Sequence, residues 1–291
     1  MYNPAAGKIR RNPDAILQRT KAALARGGLT PRLLPTTGPK QAGEMARKAI
    51  AGGADLILTL GGDGTINEVI QGMAHSDVPL GILPGGTANC LSNELGFGSR
   101  IEKAAEQLAK SEPVRISLGR VTGEKTEARY FLLMLGAGLD AAIVYEVHAG
   151  LKRAAGKLAY WVAGLAQFRR NVAGMQLKVD GESIACGFAL VSRIRNYGGD
   201  LEIASGASLR KIDFEVVVFQ GASPLKYGWY MLGVAVRQVQ KLGGVHTRRA
   251  TKVEILTPAP SQVDGEYYGR EALTVEAVPD ALTLLMPKNY G

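Results

Sequence analysis

Two glycine-rich loops hold the residues whose types and spacing point to chemistry. Gly61-Gly62-Asp63-Gly64-Thr65 follows the apolar run 55–60, Asp-Leu-Ile-Leu-Thr-Leu, which reads as a buried strand. A helix over 65–74 is predicted directly after it. Glycines let backbone N–H groups approach phosphate oxygens closely, and the N-terminal end of the helix adds partial positive charge. Asp63 would repel a bare phosphate, so it makes sense as a Mg²⁺-facing group, a base or an orienting group. Asn67 and Glu68 fall in the first helical turn. The plain alternative is a glycine-rich strand–helix turn with a surface aspartate. The loop is neither a Walker A sequence nor the dinucleotide Gly-x-Gly-x-x-Gly pattern.

A second loop, Pro84-Gly85-Gly86-Thr87-Ala88-Asn89, follows the apolar run 80–83. Thr87 offers a hydroxyl donor, and the Asn89 amide can bond sugar or phosphate. Either loop alone is a weak sign. Two of them, each after a strand, are a strong one. In a parallel sheet the carboxyl ends of neighbouring strands open on one crevice, where both loops would meet one nucleotide.

The elements around these loops fit that placement. Asn12-Pro13 joins an N-cap to a first-turn proline and predicts a helix to about Ala25, stopped at Gly27-Gly28. Residues 29–34 read as a short strand, and 39–51 as an amphipathic helix ended by Gly52-Gly53. Ser99 with Glu102 reads as a capping box for a helix reaching Lys110. Helices and strands that alternate over 12–110 imply a parallel α/β sheet. After Pro113 the rhythm changes. Residues 114–118, 130–136, 175–179, 183–193, 213–219, 252–257 and 273–277 read as strands, with turns at Asp180-Gly181 and Asp264-Gly265. That pattern suggests an antiparallel sandwich or barrel. Helical stretches over about 141–170 and 224–242 interrupt it. The expected domains are 1–112, binding nucleotide, and 113–291, rich in β structure.

Composition sets bounds. A chain of 291 residues with 46% apolar residues suits two domains with sizeable cores, and 21% charged residues argue against disorder. No run of about 20 uncharged apolar residues is present, so no membrane-spanning helix is expected. Met1-Tyr2-Asn3-Pro4 does not read as a signal peptide, and any strand before it is missing or very short. Cys90 and Cys186 lack disulfide-framework or zinc spacing and read as reduced, cytosolic thiols. His75, His148 and His246 are scattered and read as surface or packing residues. The net charge of +9 suits solubility, an anionic membrane or a phosphate-rich ligand. The basic residues are spread out, with no basic-aromatic module for nucleic acid.

The sequence 61–69, Gly-Gly-Asp-Gly-Thr-Ile-Asn-Glu-Val, followed by 84–89, resembles the diacylglycerol kinase catalytic-domain family, which includes bacterial diacylglycerol kinases and the sphingosine and ceramide kinases. Asn3-Pro4-Ala5-Ala6-Gly7 matches that family's opening phosphate-side turn. Thr36 matches its nucleotide-contacting threonine, with Thr37 as a substitute. Gly138-Leu139-Asp140-Ala141 resembles its element at the domain cleft, and Asp264-Gly265-Glu266 its C-terminal Asp-Gly-Glu. The match runs in order along nearly the whole chain. It implies a phosphofructokinase- and NAD-kinase-like parallel-sheet domain followed by an antiparallel β-sandwich, with ATP between them and Mg²⁺ carried by the nucleotide. It also implies a cytoplasmic enzyme of phospholipid metabolism, peripheral at the inner face of an anionic membrane, and pairing into a homodimer. Glu266 is then the proton acceptor from the lipid hydroxyl, with Asp264 as runner-up, though Asp-Gly is also a favoured hairpin dipeptide. Asp140 orients the hydroxyl or stabilises Glu266, or caps the helix that follows.

One stretch departs from the family. Where an aspartate would hold a structural Mg²⁺, the chain has Lys211. A protonated lysine cannot ligate the ion, so its ammonium is read as replacing that charge. The segments 141–170 and 225–239 carry aromatic and apolar residues with basic flanks. They read either as core-covering helices or as lipid-facing ones. Two rival functions remain. One is an NAD kinase, which also uses Gly-Gly-Asp-Gly-Thr. The other is a catalytically weak sensor of lipid or nucleotide. The sequence does not name the acceptor lipid.

Overall fold

The computed structural model describes residues 1–138, 174–198, 201–221 and 223–291. The expected helix over 141–170 and Asp140 lie outside the described residues. The chain divides into two compact units, Met1–Leu118 with Val278–Gly291, and Gly119–Ala277. The expected boundary at Glu112 therefore falls early, and the last fourteen residues belong to the first unit rather than to the second.

In the first unit, α1 (Pro13–Arg26) opens as expected, with the Asn12 side chain accepting the Ala15 N–H. It is followed by α2 (Ala42–Ala51), β1 (Ile57–Gly61), α3 (Asp63–Met73), β2 (Leu80–Pro84), the short α4 (Cys90–Glu94) and α5 (Ile101–Leu108). β1 and β2 pair in parallel from Ile57↔Leu80 to Gly61↔Pro84, so both end at the same level. Tyr2 bridges to Leu60 in parallel on one side. On the other side, Leu284 of the returning C-terminal segment pairs in parallel with Leu80.

Three expectations in this unit change. Residues 29–34 form no strand. Pro31 and Pro35 remove ladder donors there, and only an isolated bridge from Tyr2 to Pro35 remains. The helix after the first loop begins at Asp63 rather than Thr65, with Gly62 as its N-cap. No capping box forms at Ser99, because Arg100 is the N-cap of α5 and the Ser99 carbonyl instead accepts the Lys8 ammonium.

The second unit is antiparallel. Its strands are β3 (Glu112–Gly123, entering from the first unit), β4 (Arg129–Phe131), β5 (Met134–Gly138), β6 (Met175–Val179), β7 (Glu182–Cys186) and β8 (Phe188–Ser192). They continue with β9 (Asn196–Tyr197), β10 (Leu201–Glu202), β11 (Phe214–Phe219), β12 (Val245–Ala250), β13 (Lys252–Val263) and β14 (Glu266–Met286, which leaves for the first unit). β13 pairs with β6 through Val253–Ile255 and with β5 through Ser261–Val263. Its register with β14 shifts between Ile255 and Ala259, where Pro258 has no N–H to give. Phe131, Leu135, Leu177, Val191, Phe214 and Val263 are among the residues that fill the core beneath. The expected helix at 224–242 shortens to α6 (Pro224–Ala235). Arg237 turns left-handed at φ 55, its N–H reaching the Val234 carbonyl and that of Gln238 reaching Gly233. This pair of bonds is a Schellman stop, here with arginine in the glycine position. Cys90 in the first unit and Cys186 in the second are buried free thiols, and burial pushes Cys186 up to about 12.

Candidate active site

The register of β1 against β2 sets the two glycine loops side by side, and the glycines let them touch backbone to backbone. The Gly85 N–H donates to the Gly61 carbonyl at 2.8 Å. A Cβ on Gly86 would lie 2.6 Å from the Gly62 Cα, and one on Gly85 3.0 Å from the Gly61 Cα. None of these four glycines has a positive φ. Closeness rather than an unusual dihedral is what demands glycine here.

Asp63 joins the same assembly. Its carboxylate accepts the Cys90 N–H at 3.0 Å and the Leu91 N–H at 3.3 Å. It thereby caps α4 and ties the first loop to the end of the second. Burial raises its carboxyl above the ordinary value, while the Cys90 and Leu91 amides pull the other way. Of the three roles open to Asp63, orienting the loops is the one this geometry gives. Asn89 also turns inward. It adopts φ 49, accepts the Gly86 N–H at 2.8 Å and donates to the Gly86 carbonyl at 2.9 Å. Its amide shapes the loop instead of reaching toward sugar or phosphate. Thr87 is exposed at the loop tip.

The N-terminal residues lie along these loops. The Asn3 N–H donates to Leu60, and its amide donates to the Thr65 hydroxyl at 3.2 Å. The Thr36 N–H donates to the Tyr2 carbonyl, which brings Thr36 beside Asn3. The Thr37 hydroxyl is taken up by Gln41. In the turn that contains Pro4, Gly7 stands so that a Cβ would meet the Thr87 hydroxyl at 3.9 Å. Asn67 is buried, its carbonyl accepting the Gln71 amide. Gly64 lies inside the first turn of α3. Glu68 leaves the group, since its carboxylate accepts the Ala42 N–H at 3.2 Å and so caps α2.

Sequence reasoning missed Lys8. Its backbone N–H donates to the Gly85 carbonyl, and its ammonium donates to the carbonyls of Pro84 at 3.3 Å and of Ser99. Burial holds its amine below the ordinary lysine value, and Glu102 opposes the shift. The signal was its place one residue after Asn3–Gly7.

In the second unit, Asp264 and Gly265 are left-handed at φ 49 and 82 and link β13 to β14 as a two-residue hairpin. Asp264 is buried, and its carboxylate accepts N–H groups from Leu132, Leu133 and Met134 at 2.9–3.1 Å. These bonds hold the 132–134 segment to the hairpin. Glu266, two residues on, presents a part-exposed carboxylate paired with the Arg129 guanidinium at 2.6 Å. Sequence reasoning missed Arg129 as well.

The departing stretch also has a fixed structure. The Lys211 ammonium donates to the Gly206 carbonyl at 3.1 Å, at the surface, where Arg249 shares the same acceptor. The cation beneath the loop is another one. Arg193 is fully buried, and its guanidinium donates to the carbonyls of Leu209, Lys211, Ile212 and Asp213. Gly199 and Asp200 lie outside the described residues.

Comparison with known proteins agrees with both halves. Residues 1–121 match the diacylglycerol kinase catalytic domain, and residues 133–286 match the YegS C-terminal NAD kinase beta sandwich-like domain. The chain is 28% identical over 247 residues to a diacylglycerol kinase of Mycobacterium tuberculosis, covering 83% of this chain and 80% of that protein. It is 28% identical over 280 residues to one of Bacillus subtilis, covering 92% and 89%. A crystal structure of a diacylglycerol kinase from Bacillus anthracis shares the fold, with a TM-score of 0.77 at 21% identity, covering 99% of this chain and 96% of that one.

Proposed function

As a member of the diacylglycerol kinase catalytic-domain family, the chain is a lipid kinase by lineage, and we propose that it transfers the γ-phosphate of ATP to a hydroxyl of a membrane lipid such as diacylglycerol. The observation that carries this reading is the backbone contact of the Gly61-Gly62 and Gly85-Gly86 loops, a cradle that a single Cβ would fill. Such a cradle suits phosphate, since the N-terminal end of α3 opens there from glycine backbone that carries no side chain. In this reading the loops hold the phosphates, and Asn3, Thr65 and Thr87 surround them. Lys8 supplies fixed positive charge. Asp63 and Asn89 keep the loops in shape. Mg²⁺ arriving with ATP would supply further neutralisation of the phosphates.

Glu266 is the proposed base for the acceptor hydroxyl. It stands at the root of a hairpin locked by Asp264, with Arg129 orienting its carboxylate. The loop at 206–213 is proposed to need no structural Mg²⁺. Arg193 from below and Lys211 and Arg249 at the surface give its carbonyls the positive partners an ion would give. Enzyme on mixed lipid vesicles with labelled ATP tests the assignment. Wild type is expected to label a lipid, and Glu266→Gln to lose about 10²-fold or more in kcat. Turnover of NAD without lipid labelling would move the assignment to NAD kinase. Nucleotide binding without turnover of either would leave a sensor.

A further inference from the structure

We propose that the outward face of α6 is the surface on which the protein docks to an anionic lipid bilayer. α6 has two apolar faces where a surface helix has one. Tyr227, Tyr230 and Val234 are buried at 1–3% exposure, the Tyr230 hydroxyl donating to the Gln220 carbonyl and the Tyr227 hydroxyl to that of Gly221. Trp229, Leu232 and Val236 repeat the same spacing two residues later, which at 3.6 residues per turn sets them on the opposite side. They are 57%, 54% and 58% exposed. The inner face anchors the helix to the second unit. The outer one presents an indole and two aliphatic side chains to the surroundings.

The charge around this face selects the occupant. Residues 216–253 contain six lysines and arginines and no acid; Arg249 and Lys252 are paired with Asp213 and Glu254 outside that stretch, while Arg237, Lys241 and Arg248 are exposed. Arg237 and Lys241 follow the helix directly, while Lys226 lies within it and turns its ammonium over the inner Tyr230 ring. Arg237 also holds the left-handed stop of α6, at φ 55, a place where glycine is favoured and a β-carbon is strained. A strained cation beside an exposed apolar face fits an interface with phosphate headgroups. Two copies of the face would instead bring like charges together. The choice of a bilayer rests on the lipid-kinase reading, because such an enzyme must meet its acceptor at a membrane.

Co-sedimentation with vesicles of phosphatidylcholine alone and of phosphatidylcholine with phosphatidylglycerol tests the proposal. The variant is Trp229→Ser with Leu232→Ser, which leaves the inner face untouched. Wild type is expected to sediment with anionic vesicles and to be released by salt. The variant is expected to partition about tenfold more weakly or worse, while still phosphorylating a short-chain, water-soluble diacylglycerol at the wild-type rate. Equal sedimentation of both proteins would overturn the proposal, as would a wild type that ignores anionic vesicles. A wild-type dimer in analytical ultracentrifugation that the variant abolishes, with vesicle binding unchanged, would make this face an interface between copies and overturn it too. Should no lipid be phosphorylated while vesicle binding still depends on Trp229 and Leu232, the kinase assignment fails and the docking face stands.

Discussion

Gly86→Ala places one methyl group where two backbones meet. The new Cβ would stand 2.6 Å from the Gly62 Cα and 3.1 Å from the Asn89 Oδ1. Ordinary contact begins at 3.4 Å, so the first of these is about 0.8 Å short. The obstructing atom belongs to backbone and cannot rotate away. Gly62 is held because it caps α3, and Gly86 because its N–H and carbonyl are both taken by Asn89. The loops must therefore part by nearly 1 Å, at an overpacking cost of about 1–3 kcal/mol. A displacement of that size at a group that positions phosphate is expected to cost about 10²-fold in kcat/KM for ATP. Steady-state kinetics with ATP varied, together with thermal unfolding, measures both effects. Gly243→Ala is the control, since a Cβ there meets nothing within 4 Å. If Gly86→Ala kept wild-type kcat/KM for ATP and a wild-type Tm, the loops would not form the cradle, and the assignment of phosphate to them would fall.

Two further predictions concern the second unit. Arg193→Met removes the donor to four carbonyls, that of Leu209 buried and the other three partly so, and a loss of about 1–3 kcal/mol in urea unfolding is expected. Added Mg²⁺ should not restore it, and full restoration would show that the loop is a metal site after all. Asp213 carries a pH dependence. The Arg249 guanidinium, hydrogen-bonded to both its oxygens, holds its carboxyl below the ordinary carboxylate value. The ionised form is favoured in the fold, so its stabilisation is present above the unfolded value of about 3.9 and is lost as pH falls through the lowered native one. Wild type should therefore exceed Asp213→Asn in stability at neutral pH, with the gap closing toward pH 3. A gap that stays constant with pH in chemical unfolding would refute this.

What could be read from the sequence was whatever local pattern decides. β1, β2 and the glycine loops were legible because continuous apolar runs ended by glycines admit few other structures. The Asp264-Gly265 hairpin was legible from its dipeptide alone. Residues 29–34 misled, since their apolar residues suggested a strand while Pro31 and Pro35 forbade its ladder. β12 was missed because His246, Thr247, Arg248 and Arg249 give the last strand of the sheet no apolar alternation. The roles of Asp63, Glu68 and Asp264 were out of reach for a different reason. Each is a polar side chain suited to ligand chemistry, and each spends its oxygens on backbone N–H groups brought near only by the tertiary fold. α4 was hidden likewise, since its start depends on Asn89 turning left-handed and on a cap from Asp63, both set by the other loop.

β14 begins at Glu266 in the second unit and ends at Met286 in the first, where Leu284 lies beside Leu80, Ala281 accepts the His75 N–H, and Tyr290 bonds the buried Glu94 of α4. A ribosome makes these residues only after the whole of the second unit. Until then the edge of β2 has no neighbour and Glu94 no phenol, although every glycine of the phosphate cradle has long been synthesised. The N-terminal unit thus cannot complete its sheet as it emerges, the usual order for a multidomain chain, and must wait until the second unit has been made. Deleting residues 278–291 would spare all the residues assigned to chemistry here, yet would leave the nucleotide unit with an open sheet edge, exposed to aggregation.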